Sequence, residues 1–136
     1  MLANGATLEV KKKGESTYTA LPGLKELPDL GVDPEKVNVT DLSDSVKQYE
    51  NGIGDAGDLA YKFNFENGDA ASSYRILREI ESSGEAASFK ETLKDGTTTE
   101  FDAQVAVKRN GGGVNAVMEF TASLSLQSDF KITDPA

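Results

Sequence analysis

The sequence contains no cysteine, no histidine and no tryptophan. Without cysteine there is no disulfide framework and no thiol nucleophile, and without histidine there is no imidazole base. The two absences together exclude ordinary zinc sites, which draw on cysteine and histidine. No stretch approaches the ~20 apolar residues that a bilayer helix needs. Cations are also scarce. Fourteen Lys and Arg face 23 Asp and Glu, a net charge of −9. A chain this acidic does not hold nucleic acid by neutralising phosphates. The opening Met1-Leu2-Ala3-Asn4-Gly5 has neither the basic start nor the apolar run of a secretory leader. Synthesis in the cytoplasm and no membrane insertion are expected.

What is present is one domain's worth of chain: 136 residues, 38% of them hydrophobic. Such a length buries roughly two-thirds of its unfolded surface, enough for a core without covalent staples. A single domain over 1–136 is expected, with a long loop at about 40–57 and no C-terminal decoration domain.

Period-two alternation dominates, as half-buried antiparallel strands require. Leu8 and Val10 alternate with Thr7, Glu9 and Lys11, and Val37 and Val39 with Lys36, Asn38 and Thr40. Leu59, Tyr61, Phe63 and Phe65 share one phase. So do Phe101, Ala103, Val105 and Val107. Phe89, Glu91 and Leu93 alternate less clearly. The longest run takes Ala116, Met118, Phe120, Ala122, Leu124 and Leu126, then Phe130 and Ile132, in one phase. Straight, it would extend about 55 Å at ~3.3 Å per residue. It must therefore bend, around Ser128-Asp129, and a curved or barrel-like sheet suits it.

One helix is expected. Asp69 serves as N-cap, Ala70, Ser73, Tyr74, Ile76, Leu77 and Ile80 share an apolar arc, Arg75 pairs with Glu79, and Gly84 stops the helix. Asn110-Gly111-Gly112-Gly113 and Asp95-Gly96 mark hairpins. Leu21 to Pro34 reads as an irregular connection. Asp41 to Gly57 reads as a long polar loop. The acidity concentrates there. From Val37 to Asp69 two lysines face seven carboxylates.

Catalytic motifs are weak. Gly52-Ile53-Gly54-Asp55-Ala56-Gly57 matches the dinucleotide fingerprint, but a strand follows it where a helix is needed. Asp41, Asp44, Asp55 and Asp58 lack the ligand order of a calcium loop. No carboxylate spacing singles out an acid–base pair. The chain is therefore read as a non-enzyme, with no cofactor and no metal.

The order of parts carries a resemblance. Leu21-Pro22-Gly23-Leu24, Leu27-Pro28-Asp29-Leu30-Gly31 and Pro34-Glu35-Lys36-Val37-Asn38-Val39-Thr40-Asp41-Leu42-Ser43-Asp44 come first. Tyr49, the glycine-rich Gly52–Leu59, and the aromatic Tyr61-Lys62-Phe63-Asn64-Phe65 follow, then a short helix and three strands. This order, from about Ala6 to Ile132, resembles the major tail tube proteins of long, non-contractile-tailed bacteriophages.

The resemblance implies a mainly β fold, a β-sandwich or half-barrel with one flanking α-helix. It implies a structural protein of the virion tail. Six copies form a ring, sheets join edge to edge, and stacked rings make the conduit for DNA delivery. Partners are further copies of the chain and the tape measure, tail terminator and tail-tip proteins. DNA is a passenger that does not stick, and some carboxylates are expected to face the lumen. The family's loop that grips the adjacent ring falls here on Thr40, Asp41, Leu42, Ser43, Asp44, Tyr49, Gly52, Ile53, Gly54, Asp55 and Gly57. Alternatives are the tube of a contractile tail, tailocin or secretion system, and a soluble β-sandwich binding module. The module reading is the weaker, since no Trp is present and only Tyr18 and Tyr49 stand outside the core phase.

Overall fold

The computed structural model describes residues 1–30, 33–38, 49–55 and 58–135. An eight-stranded antiparallel sheet contains β1 (Thr7–Lys11), β2 (Thr19–Ala20), β3 (Leu24–Glu26), β6 (Asp58–Asn64), β7 (Ala87–Thr92), β8 (Thr98–Asn110), β9 (Glu119–Leu126) and β10 (Lys131–Thr133). Its order is β2-β1-β7-β8-β9-β6-β3, with β10 also on β8. Two further strands, β4 (Asp33–Asn38) and β5 (Tyr49–Asp55), form a separate two-stranded ribbon. One helix, α1 (Ser73–Ser83), links β6 to β7.

The sheet curls because one short segment ties its two margins together. The Leu21 N–H donates to the Leu8 carbonyl of β1 at 2.9 Å, and the Asn64 N–H of β6 donates to the Gly23 carbonyl at 2.8 Å. Three strands separate β1 from β6, so a flat sheet would hold them about 19 Å apart. Two residues of chain span only about 7 Å. The strap closes that gap only if the sheet bends into a half-barrel.

The inner face follows the period-two reading. Leu8, Val10, Leu59, Tyr61, Phe63, Phe89, Phe101, Ala103, Phe120, Ala122 and Leu124 are all buried. Ile76, Leu77 and Ile80 of α1 join the same core, and Phe63 stacks on Phe120 with centroids 5.0 Å apart. Leu21 plugs the strap end.

Several expectations change. The N-cap of α1 is Ser72, not Asp69. Asp69 is satisfied one turn earlier, its Oδ1 accepting the Ala71 N–H at 2.9 Å, so Ala70 lies outside the helix and is exposed. Arg75 does not pair with Glu79. It grips Asn67, through the side-chain oxygen at 3.0 Å and the carbonyl at 3.1 Å, while Glu79 takes Lys12 at 3.0 Å. Gly84 does stop the helix, with φ 71° and its N–H on the Glu81 carbonyl.

The long C-terminal run breaks where expected. β9 pairs with β8 up to Leu126↔Ala103, and β10 resumes on β8 at Lys131↔Glu100. Two extra residues are absorbed between these pairs. There the Ser128 hydroxyl accepts the Asp102 N–H at 2.8 Å in place of a ladder carbonyl, and Phe130 packs edge-on against Phe101. The ends of that run are not core. Met118 is partly exposed and Ile132 largely so, since neither lies beneath the helix-covered centre. The glycine hairpin is looser than a two-residue turn, and Gly111 and Gly112 keep negative φ. Asp95-Gly96 makes the expected tight turn, with Gly96 at φ 97° and its N–H on the Leu93 carbonyl.

Gly23 holds φ +85° in the strap, a region that costs a side chain roughly 1–2 kcal/mol. Gly23→Ala is expected to lower unfolding stability by about that amount in urea with an unchanged slope. Unaltered stability would mean that the strap does not set the curl.

Candidate functional site

The residues expected to form a contact loop divide. Tyr49, Gly52, Ile53, Gly54 and Asp55 lie in β5, so this part of the expected loop is strand. Thr40, Asp41, Leu42, Ser43, Asp44 and Gly57 lie outside the described residues, as does Val39. The strand was hidden because Gly52 and Gly54 depress local β propensity. Cross-strand pairing overrides this, with Asn38↔Tyr49, Val37↔Glu50, Lys36↔Asn51, Pro34↔Gly54 and Asp33↔Asp55 in register. Pro34 sits at the start of β4, where a missing N–H is tolerated on an outer strand.

The ribbon's hydrogen-bonded ladder is internal. Among the described residues, β4 and β5 pair with each other and with no strand of the main sheet. An isolated two-stranded ribbon is marginal in water, and three strands or a packing partner normally complete it. At one end of the ribbon Asp33 and Asp55 occupy directly opposite register positions.

The outward face of the main sheet is polar and made largely of small residues. Its cross-strand rows on β6, β9 and β8 read Asp58–Ser125–Gln104, Ala60–Ser123–Ala106 and Lys62–Thr121–Lys108. On the other half, Glu9, Lys90, Glu100 and Lys131 form a row of alternating sign across β1, β7, β8 and β10. Tyr18, one of two aromatics outside the core phase, lies over Lys11 and Lys90 at 5.0 and 5.7 Å. It is thus occupied by its own chain. Partial burial and the neighbouring Glu100 raise its hydroxyl pKa.

One ionisable pair is buried. Tyr61 donates its hydroxyl proton to Glu91 at 2.6 Å, with Glu91 only 5% exposed. The short distance fits a charge-assisted bond. Glu91 explains the indistinct alternation of β7: a carboxylate occupies a core position, between Leu8 and Thr99 in register. Desolvation pushes its pKa up, and the Tyr61 bond partly counters this. Burial and the adjacent carboxylate keep the Tyr61 hydroxyl protonated. Among the described residues no group of three or more His, Cys, Asp or Glu could hold a metal.

The phage tail tube protein family model matches residues 4–134. No curated protein matches. Among solved structures, the fold is similar to a chain in the tail of an empty gene transfer agent particle, determined by helical refinement with C6 symmetry. That likeness has TM-score 0.74 and 18% identity, covering 97% of this chain and 99% of that one. It is similar to a chain in the sheath/tube terminator of an extracellular contractile injection system in its extended state, at TM-score 0.76 and 10% identity over 98% and 96%. It is also similar to the SPP1 tail tube protein, at TM-score 0.76 and 9% identity over 98% and 79%. Identities this low speak for the fold, and the mainly β half-barrel with one helix matches it.

The sign of the Glu91 effect is fixed by its raised pKa. The favourable contribution is present in full below the ordinary carboxylate range and is lost as pH rises through the elevated folded value. Glu91→Gln, which can still accept the Tyr61 proton, is expected to stabilise the domain near pH 8. The difference from wild type should shrink toward pH 4. Thermal melts across that range would show equal gains at every pH if burial of the charge were not the cause.

Proposed function

The chain belongs to the phage tail tube protein family, and from that premise we propose that it polymerises as stacked hexameric rings into the conduit for DNA delivery. As a family member it is a structural component of a virion tail. The observation that carries the ring reading is the extent of the match. Nearly the whole chain, from 4 to 134, corresponds to the family. A chain from a tail of C6 symmetry superposes over 97% of it. Tail terminator, tape measure and tail-tip proteins are the further partners of such a tube.

The geometry supports assembly in two ways. The outer strands β2 and β3 are only two and three residues long, and a neighbouring sheet can extend the ladder past them. Among the described residues the β4–β5 ribbon pairs with no third strand, and in this reading a copy in the next ring completes it. This retains the contact role of Tyr49, Gly52, Ile53, Gly54 and Asp55 with strand geometry instead of a loop, and extends it to Thr40, Asp41, Leu42, Ser43, Asp44 and Gly57.

In this reading the outward face of β6, β9 and β8 lines the channel. Its many small Ala, Ser and Thr side chains give passing DNA little to bind, and its two lysines, Lys62 and Lys108, are outnumbered by the carboxylates Asp58, Glu100, Asp102 and Glu119. The role is structural, with no reaction catalysed. A sheath around the tube would distinguish a contractile tail or injection system from a sheathless one, and the solved neighbours include a chain from a contractile injection system.

Two outcomes are expected. Tyr49→Asp with Ile53→Asp should leave the melting temperature of the main domain within a few degrees of wild type and abolish rings and tubes in negative-stain electron microscopy. Tubes formed normally by this variant would contradict the ribbon's role. Ala106→Lys should permit tubes and slow DNA ejection from particles that carry it. Unchanged ejection kinetics would remove the outward β6–β9–β8 face from the channel wall.

A further inference from the structure

The sequence holds three arginines, Arg75, Arg78 and Arg109. The fold brings all three to one end of the half-barrel, around the aromatic pair Phe65 and Tyr74. The Arg78 guanidinium lies 5.2 Å from the Tyr74 ring centre, Tyr74 meets Phe65 edge-on at 4.8 Å, and the Arg109 guanidinium lies 5.8 Å from Phe65. Arg75 is tied to Asn67 beside them. Arg78 and Arg109 are exposed. Next to Phe65, whose N–H donates to the Met118 carbonyl, the exposed Met118 and Val117 extend the surface.

The chain offers 23 carboxylates, yet the four ion pairs among the described residues are all made by lysine. Glu119, close by on β9, is held by Lys25 at 2.7 Å. A guanidinium stacked on a ring keeps its edge N–H groups free for a carboxylate, and the fork geometry favours bidentate pairing. Arg, Tyr and Met are also the residues enriched in interface centres.

We propose that this arginine–aromatic end is the seat for the β4–β5 ribbon of a second copy of the chain. The proposal rests on the tube reading above and names the surface that the ribbon meets. The ribbon is the complementary partner by charge. Asp33, Glu35, Glu50 and Asp55 stand against one lysine, Lys36, in its two strands. It also carries Tyr49 and Ile53, apolar residues of a size to cover Met118 and Val117. Among the described residues its two strands pair only with each other, and a two-stranded ribbon is marginal in water without a further strand or packing surface.

Three arginines give three side-chain Nε–H signals in a ¹⁵N-labelled full-length chain, assignable by single Arg→Lys variants. Raising the total concentration to about 1 mM with unlabelled wild type reaches contacts as weak as ~−4 kcal/mol. The Arg78 and Arg109 signals are expected to shift. The shift should be lost when the unlabelled partner is Glu35→Lys with Glu50→Lys. Shifts elsewhere in the spectrum with both arginine signals unmoved would overturn this surface and leave the tube reading standing. Equal shifts with the reversed-charge partner would overturn the ribbon as occupant. Arginine signals that respond to added duplex DNA and not to protein concentration would make the cluster a phosphate contact and overturn it too. A spectrum unchanged throughout would count against both readings.

Discussion

Two backbone hydrogen bonds, from Leu21 to β1 and from Asn64 to Gly23, set the shape of everything else. They fasten both margins of one sheet to a single short strap, and chain length then forces the sheet to curl. The curl creates a concave face deep enough to bury five large aromatic side chains, Tyr61, Phe63, Phe89, Phe101 and Phe120. It also leaves room for one helix to seal that face. Ser73 on the helix reaches back to the Pro22 carbonyl, so the helix is anchored to the strap that made its seat.

The same curl separates the two surfaces by chemistry. Inward residues supply the hydrophobic term that stabilises the domain. Outward residues are small and polar or form alternating-sign rows, and such surface pairs add little to stability. Their number and order instead fit a surface that faces water or a smooth channel. The outermost strands are very short, and among the described residues the β4–β5 ribbon pairs with no third strand. In the proposed tube, copies of one chain make both contacts, so the repeating contact needs no second gene product.

Much of the core was legible in the sequence. The period-two phases of Leu59–Phe65, Phe101–Val107 and Phe120–Leu126 are the strands of the sheet centre, and the break near Ser128 is a real irregularity in the ladder. Helix type and stop were legible as well. Its start was not, because Asp69 and Ser72 are both good caps and only the packing of Ser73 against the strap chooses between them. β5 was obscured by its glycines, and β3 by the prolines around it. Glu91 resembled a surface residue because its partner Tyr61 is 30 positions away in sequence. The strap and the gathering of arginines arise from tertiary closure, and no local pattern encodes them.

The proposed tube depends on a neighbouring copy completing the ribbon. Amide hydrogen exchange on the full chain, first dilute and then assembled, tests it most directly. Amides of Asp33–Asn38 and Tyr49–Asp55 are expected to exchange rapidly in the dilute protein and to become strongly protected on assembly. The centre of the main sheet, around Tyr61, Val105 and Ala122, should be protected in both states. Ribbon amides equally protected before and after assembly, or still fast within formed tubes, would contradict it.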